Sequence, residues 1–188
     1  MRKLVAVATL AGGGVAGYLG VVTGAVPVDL GVGRRIRPLG PIGVDIAAPR
    51  GVVYDVLSEP YLGRQTRAVA EKIRILERGA DMVLAAHRTR LRGRLVATTV
   101  ETVRFSPPDQ IHFRLTRGPV PHVVEQFVLR EDGDGTRLDY TGELGTDLWG
   151  IGRRWGDVVA GPWERVVAAT FAAVKAEAER RASRRGPR

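Results

Sequence analysis

The spacing of apolar side chains changes character several times along this chain. Leu4 to Val28 is a run of twenty-five residues without a charge, preceded by Met1-Arg2-Lys3. At about 1.5 Å per residue a helix of that length spans a bilayer core of roughly 30 Å with some tilt. Gly12, Gly13, Gly14, Gly17, Gly20 and Gly24 interrupt it. Three readings compete for residues 1–28: a retained membrane anchor, a signal peptide cleaved near Thr23-Gly24-Ala25, and a loosely packed apolar arm. The apolar stretch is longer than a usual signal core, which favours the anchor. Residues 29–41, rich in Gly, Pro and Arg, read as a basic linker.

Beyond the linker, Ile42-Gly43-Val44-Asp45-Ile46 predicts a short strand, and Pro49 suits the first turn of a helix with an apolar side at Val52, Val53, Val56 and Leu57. Ser58-Glu59-Pro60 predicts a break, followed by a second short helical turn. From Val69 the period becomes two. Strands are predicted from Val69 to Arg78, from Met82 to Ala86, from Arg94 to Phe105, around Ile111, Phe113 and Leu115, from His122 to Arg130, and from Arg137 to Gly145, with Gly, Pro and Asp at the joins. The last long element, Asp147 to about Arg181, places Leu148, Ile151, Trp155, Val158, Val159, Trp163, Val166, Val167, Thr170, Phe171 and Val174 at steps of three and four. That is one broad stripe of a helix, and it needs the sheet to lie against. Pro162 removes an intrahelical hydrogen bond, so a kink is predicted there, with a separately oriented segment from Trp149 to Gly161.

The order of elements and two local runs resemble the START-like, or SRPBCC, superfamily of polyketide cyclases and lipid-transfer domains. One run is Val44 to Pro60, with its strand, Pro-led helix and break; the other is Gly135-Thr136-Arg137-Leu138-Asp139-Tyr140. The resemblance covers about residues 40 to 182 and implies an α+β helix-grip fold, an antiparallel sheet curved around a long C-terminal helix. The expected organisation is an apolar, transmembrane segment at 1–28, the linker, a ligand-binding domain at 42–182 and a basic tail at 183–188. Members of the superfamily share a cavity rather than a reaction.

Alternation nominates the groups that face such a cavity. Glu101 shares parity with Val103 and Phe105, and Glu125 with Val123, Phe127 and Leu129, so both carboxylates are predicted to point inward. Turn registers set Val103 opposite Phe113 and Phe113 opposite Glu125, which places the glutamates on the order of 10 Å apart. In apolar surroundings such carboxyls have raised pKa values and serve as acid or base. Alternatively a bulge turns one outward, or a neighbouring Arg94, Arg104 or Arg114 neutralises it. Glu143 falls on the opposite face. Val103, Phe113, Phe127, Tyr140, Trp155, Val159 and Trp163 are the candidate ligand-contacting residues. His87, His112 and His122 are not spaced as metal ligands within an element, no nucleophilic triad is visible, and no metal or cofactor is expected.

Charge adds one further distinction. The chain of 188 residues carries a formal charge of +9 and no cysteine. Ten bases and one acid lie in the two ends, Arg2 to Arg37 and Arg180 to Arg188, leaving nineteen bases against nineteen acids between residues 38 and 179. A neutral body does not make a nucleic-acid surface. Basic ends beside an apolar segment fit anionic lipid, and the bases after the segment lean towards a cytoplasmic domain on a single-pass anchor. The absence of cysteine excludes disulfides and thiolate chemistry. Three functions remain open: a membrane-tethered binder or carrier of a lipid, quinone or polyketide; a cyclase or dehydratase using Glu101 and Glu125; and a structural or regulatory module whose own side chains fill the cavity.

Overall fold

The computed structural model describes residues 16–63, 65–90 and 95–185. Strand β1 (Arg35–Ile46) leads to helix α1 (Arg50–Leu62) and a single turn α2 (Arg67–Ala70). The strands β2 (Ile73–Arg78), β3 (Met82–Arg90), β4 (Val96–Ser106), β5 (Gln110–Arg117), β6 (His122–Asp132) and β7 (Gly135–Thr146) follow, and helix α3 (Trp149–Arg185) closes the chain. The strands form one antiparallel sheet in the order β1-β7-β6-β5-β4-β3-β2. Consecutive strands pair through turns, and β1 returns to flank β7. This is the predicted α+β helix-grip architecture.

The first strand corrects the linker reading. It begins at Arg35, paired with Thr146, seven residues before its expected start. Gly40 and Pro41, which read as linker, sit where the register shifts between Leu39 and Ile42. Pro is tolerated there because the strand lies on the sheet edge and is bulged. Downstream, Val69 belongs to the turn α2, capped by the Thr66 hydroxyl, so β2 starts later than the alternation predicts. Helix α1 runs through Ser58 and Pro60 without the expected break.

The anchor reading concerns residues 1–28, of which 1–15 lie outside the described residues. Residues 16–22 are helical, and the helix stops there. Gly24, with φ of 71°, and the Thr23 hydroxyl bonded to the Leu19 carbonyl end it, a left-handed stop in which Gly carries no Cβ penalty. The chain then crosses the end of the sheet. Thr98 donates to the Thr23 carbonyl, and Arg117 donates to the carbonyls of Gly24 and Ala25. The expected apolar helix therefore does not continue to Val28. Among the described residues no helix is long and apolar enough to cross a membrane.

Helix α3 is continuous through Pro162, so the proline does not end the helix. Pro162 is exposed, and so is Val158, whose carbonyl loses its partner and is left to water. The stripe buried against the sheet is narrower than predicted. Trp155, Val159, Trp163, Val167, Phe171, Val174 and Ala178 pack on the core, whereas Ile151 and Val158 are 75% and 59% exposed. The inner faces of the strands supply Val83, Val103, Phe105, Ile111, Phe113, Phe127, Leu129, Leu138 and Tyr140.

Candidate active site

On the inner sheet face two polar groups are set among aromatic rings. The register is as predicted, with Val103 opposite Phe113 and Phe113 opposite Glu125. A bulge falls between Val100 and Glu101 in the β4–β5 pairing, yet Glu101 still points inward. Both glutamates are buried, 6% and 5% exposed, and Glu143 is on the outer surface against His122.

The first group runs from α1 to β4. The Tyr61 hydroxyl lies 3.0 Å from His87 Nε2, and His87 Nδ1 lies 3.1 Å from Glu101 Oε2. The latter is an ion-pair contact whose angle falls short of a straight hydrogen bond. Thr99 donates to the other Glu101 oxygen at 2.7 Å. Burial pushes the imidazolium pKa of His87 down, but the adjacent Glu101 charge outweighs it and leaves His87 above its ordinary value. Burial likewise pushes Glu101 up, and His87 and Thr99 bring it below the usual carboxylate range. Each partner thus favours the charged form of the other.

The second group is centred on Glu125. Its Oε1 accepts from the Tyr140 hydroxyl and from Trp163 Nε1, both at 2.6 Å, while Oε2 has no partner among the described residues. Burial and then the Glu101 charge push Glu125 up to about 7, against the opposing donors. The two inward carboxyls are thus shifted in opposite directions, because only Glu101 has a basic side chain beside it. Such a split is how one site carries an acid and a base at neutral pH.

Between the groups the rings form a chain of contacts. Tyr61 meets Phe105 and Phe113, with centroids 5.9 and 6.1 Å away; Phe113 meets Phe127 at 4.9 Å, and Phe127 meets Phe171 of α3 at 5.2 Å. Val103, Phe113, Phe127 and Tyr140 are buried in this layer. Trp155, Val159 and Trp163 are half-buried on α3 above it, Trp155 held by a hydrogen bond to the Pro119 carbonyl at 2.8 Å. The seven residues nominated for ligand contact and the two glutamates line one helix–sheet interface.

Sequence reasoning passed over His87 and Tyr61. The signal for His87 was its parity with Val83 and Ala85, both buried; the strand predicted over Met82–Ala86 stopped one residue short of it. Asp147 was also missed as a structural centre. Its carboxylate accepts from the Leu30 and Gly31 amides and from Arg34 Nε, at 2.6, 2.8 and 2.8 Å, and Arg34 draws its pKa down to about 2. This clasp fastens residues 29–34 over the start of α3, where Gly33, with φ of 63°, lies so close to Trp149 that a Cβ would meet the indole at 2.3 Å.

An antiparallel sheet gripping a C-terminal helix over an apolar, ring-lined interior with a few inward polar groups defines a helix-grip domain. The chain belongs to the polyketide cyclase / dehydrase and lipid transport family, whose family model matches residues 43–179. Among solved structures it resembles the Zhui aromatase/cyclase from Streptomyces sp. R1128, with 23% identity over 79% of this chain and 95% of that one and a TM-score of 0.64. It also resembles norcoclaurine synthase from Thalictrum flavum, with 14% identity, coverage of 76% and 84%, and a TM-score of 0.55. A third similar structure is TTHA0849 from Thermus thermophilus, with 15% identity, coverage of 80% and 100%, and a TM-score of 0.54. At these identities the likeness is one of fold. No curated protein matches the chain.

Proposed function

We propose that this domain binds a hydrophobic, polyketide-like molecule between the sheet and α3 and moves protons on it in a cyclase- or dehydratase-type reaction. The observation that carries this reading is the pairing of a carboxyl poised near neutrality, Glu125, with a Tyr61–His87–Glu101 relay on the same inner face. Tyr61, accepting a hydrogen bond from His87 Nε2, turns its own proton towards a ligand carbonyl and polarises it. Ionised Glu125 takes a proton from the carbon beside that carbonyl. The resulting carboxylic acid then returns the proton to a departing hydroxyl, which leaves as water, so the cycle closes with no net change in the protein. Ligand entry requires the rings between sheet and helix to part.

The test is turnover and binding of a linear poly-β-ketone thioester by the full chain and by Glu125→Gln. Retained binding with turnover lowered about 10²–10⁴-fold is the expected result. Binding without turnover in the unaltered chain supports the second reading, a carrier of the same class of molecule; this is favoured by the purely apolar contacts that surround the two polar groups. The uncharged stretch from Leu4, with Arg2 and Lys3 before it and Arg34, Arg35 and Arg37 after it, supports holding either kind of domain at a membrane as a single-pass protein, the domain on the cytoplasmic side.

A further inference from the structure

We infer that the cleft between the free edge of β1 and the first turns of α3 seats the phosphate of an anionic phospholipid, with the apolar residues around it resting in the bilayer interface. This rests on the membrane reading above and deepens it by naming the face and the lipid chemistry.

Strand β1 is an edge strand, paired on one side only with β7. Beside it opens a cleft of about 620 Å³ lined by Arg35, Arg37, Arg153, Trp149, Gly150 and Asp157, among others. Three guanidinium groups face one carboxylate, and that carboxylate is already answered by Arg37 at 2.6 Å. Arg35 and Arg153 have no ion-pair partner among the described residues. Gly150 leaves open space where a side chain would reduce the cleft. Planar, multidentate guanidinium donors match phosphate oxygens, and the positive end of the α3 dipole lies at the same place.

The rim distinguishes a lipid from a free anion. Ile36 and Trp149, which line the cleft, are 51% and 54% exposed, and Ile151, two residues further along α3, is 75% exposed; a soluble phosphate does not cover this apolar surface. Along the outward side of α3, Ile151, Arg154, Val158 and Arg165 are all exposed and recur at helical spacing, mixing apolar and basic groups as an interfacial helix does. Tyr18 brings the N-terminal segment to this same helix, its ring 6.1 Å from that of Trp155. The uncharged sequence upstream therefore joins the domain at the helix that carries this face. An apolar insertion and a basic patch are together the two signals that stable membrane attachment takes.

The experiment reconstitutes the full chain with vesicles of phosphatidylcholine, with and without phosphatidylglycerol, carrying brominated acyl chains. Tryptophan quenching is measured in the unaltered chain and in Trp149→Phe, whose difference reports Trp149 alone. The expected result is quenching of Trp149 that depends on phosphatidylglycerol and is reversed by salt. In Arg35→Gln, Arg153→Gln the docking equilibrium weakens roughly thirty-fold, and Ile151→Glu, at an exposed site, abolishes Trp149 quenching with thermal stability unchanged. A chain that does not float with any vesicle overturns both the tether and the docking face. Flotation with Trp149 unquenched overturns the docking face alone and leaves the tether standing. Equal affinity for inorganic phosphate in solution, or a dimer in detergent that Ile151→Glu dissociates, overturns the lipid assignment in favour of a free anion or a second copy.

Discussion

His87 Nδ1 and Glu101 Oε2 lie 3.1 Å apart on adjacent strands, and each favours the charged form of the other inside the sheet–helix interface. Removing one partner leaves the other group buried with only a neutral hydroxyl beside it, Thr99 for Glu101 or Tyr61 for His87. His87→Gln should therefore destabilise the domain by about 3–5 kcal/mol, and the double variant with Glu101→Gln should recover part of that loss. Urea unfolding of the four proteins at pH 7 gives the coupling. The pH dependence has two limbs. Glu101, lowered in the folded state, contributes stability that is lost as pH falls through its folded value. His87, raised in the folded state, contributes stability that is lost as pH rises through its own. The pair's contribution is thus greatest between those limits, and additive single variants would exclude the pairing.

Glu125 is shifted in the direction opposite to Glu101. Its pKa rises from an ordinary 4.5 to about 7 on folding, so the folded state binds more protons across that interval and loses stability as pH rises through it. The full shift corresponds to roughly 3 kcal/mol. Glu125→Gln keeps an oxygen for Tyr140 and Trp163 but no charge, so its stability gain should be near zero at pH 4 and largest above pH 7. A variant that is destabilised equally at every pH would show that the carboxyl is not titrating there.

Much of this site was legible in the chain because strand alternation and turn lengths fix register. Glu101, Phe113 and Glu125 lie where parity put them, and Glu143 lies outside. His87 was hidden because the predicted strand ended with its apolar run at Ala86, one residue short. Tyr61 sits at the end of a helix whose Pro60 reads as a break. The contacts of Asp147 with Leu30, Gly31 and Arg34 span more than a hundred residues, a separation over which periodicity carries no information. Gly40-Pro41 misled because the pair breaks a regular element in isolation, but an edge bulge accommodates it here.

The Asp147 clasp predicts how the N-terminal segment is fastened. Asp147→Asn loses the Arg34 ion pair and weakens the acceptor for two amides, and should cost about 1–3 kcal/mol. The effect should be local. Hydrogen exchange at Leu30, Gly31, Leu148 and Trp149 should accelerate, the last two because their amides donate to the Val32 and Gly33 carbonyls, while the β3–β6 amides keep their protection. In the unaltered protein the same loosening should appear only as pH falls towards about 2, where Asp147 is protonated. Exchange that accelerates uniformly over the sheet would mean that the clasp supports the whole fold rather than the start of α3.

Trp163 offers a direct control on the acid–base reading, because it touches Glu125 from α3 rather than from the sheet. Its indole N–H donates to Glu125 Oε1 at 2.6 Å and favours the ionised carboxyl, drawing its pKa down against burial. Trp163→Phe keeps an aromatic ring and deletes that donor, so the Glu125 pKa should rise by about one further unit, a hydrogen bond to a charged group being worth roughly 1.5–3 kcal/mol before solvent access is allowed for. If ionised Glu125 is the base, the acidic limb of the pH–rate profile moves upward by the same amount, and a rate lost at pH 7 is recovered at pH 8 to 9. A carboxyl-carbon NMR titration of Glu125 reads the shift without turnover. A moved NMR titration with an unmoved rate profile would leave Glu125 as a buried acid and assign proton abstraction to the His87–Glu101 pair.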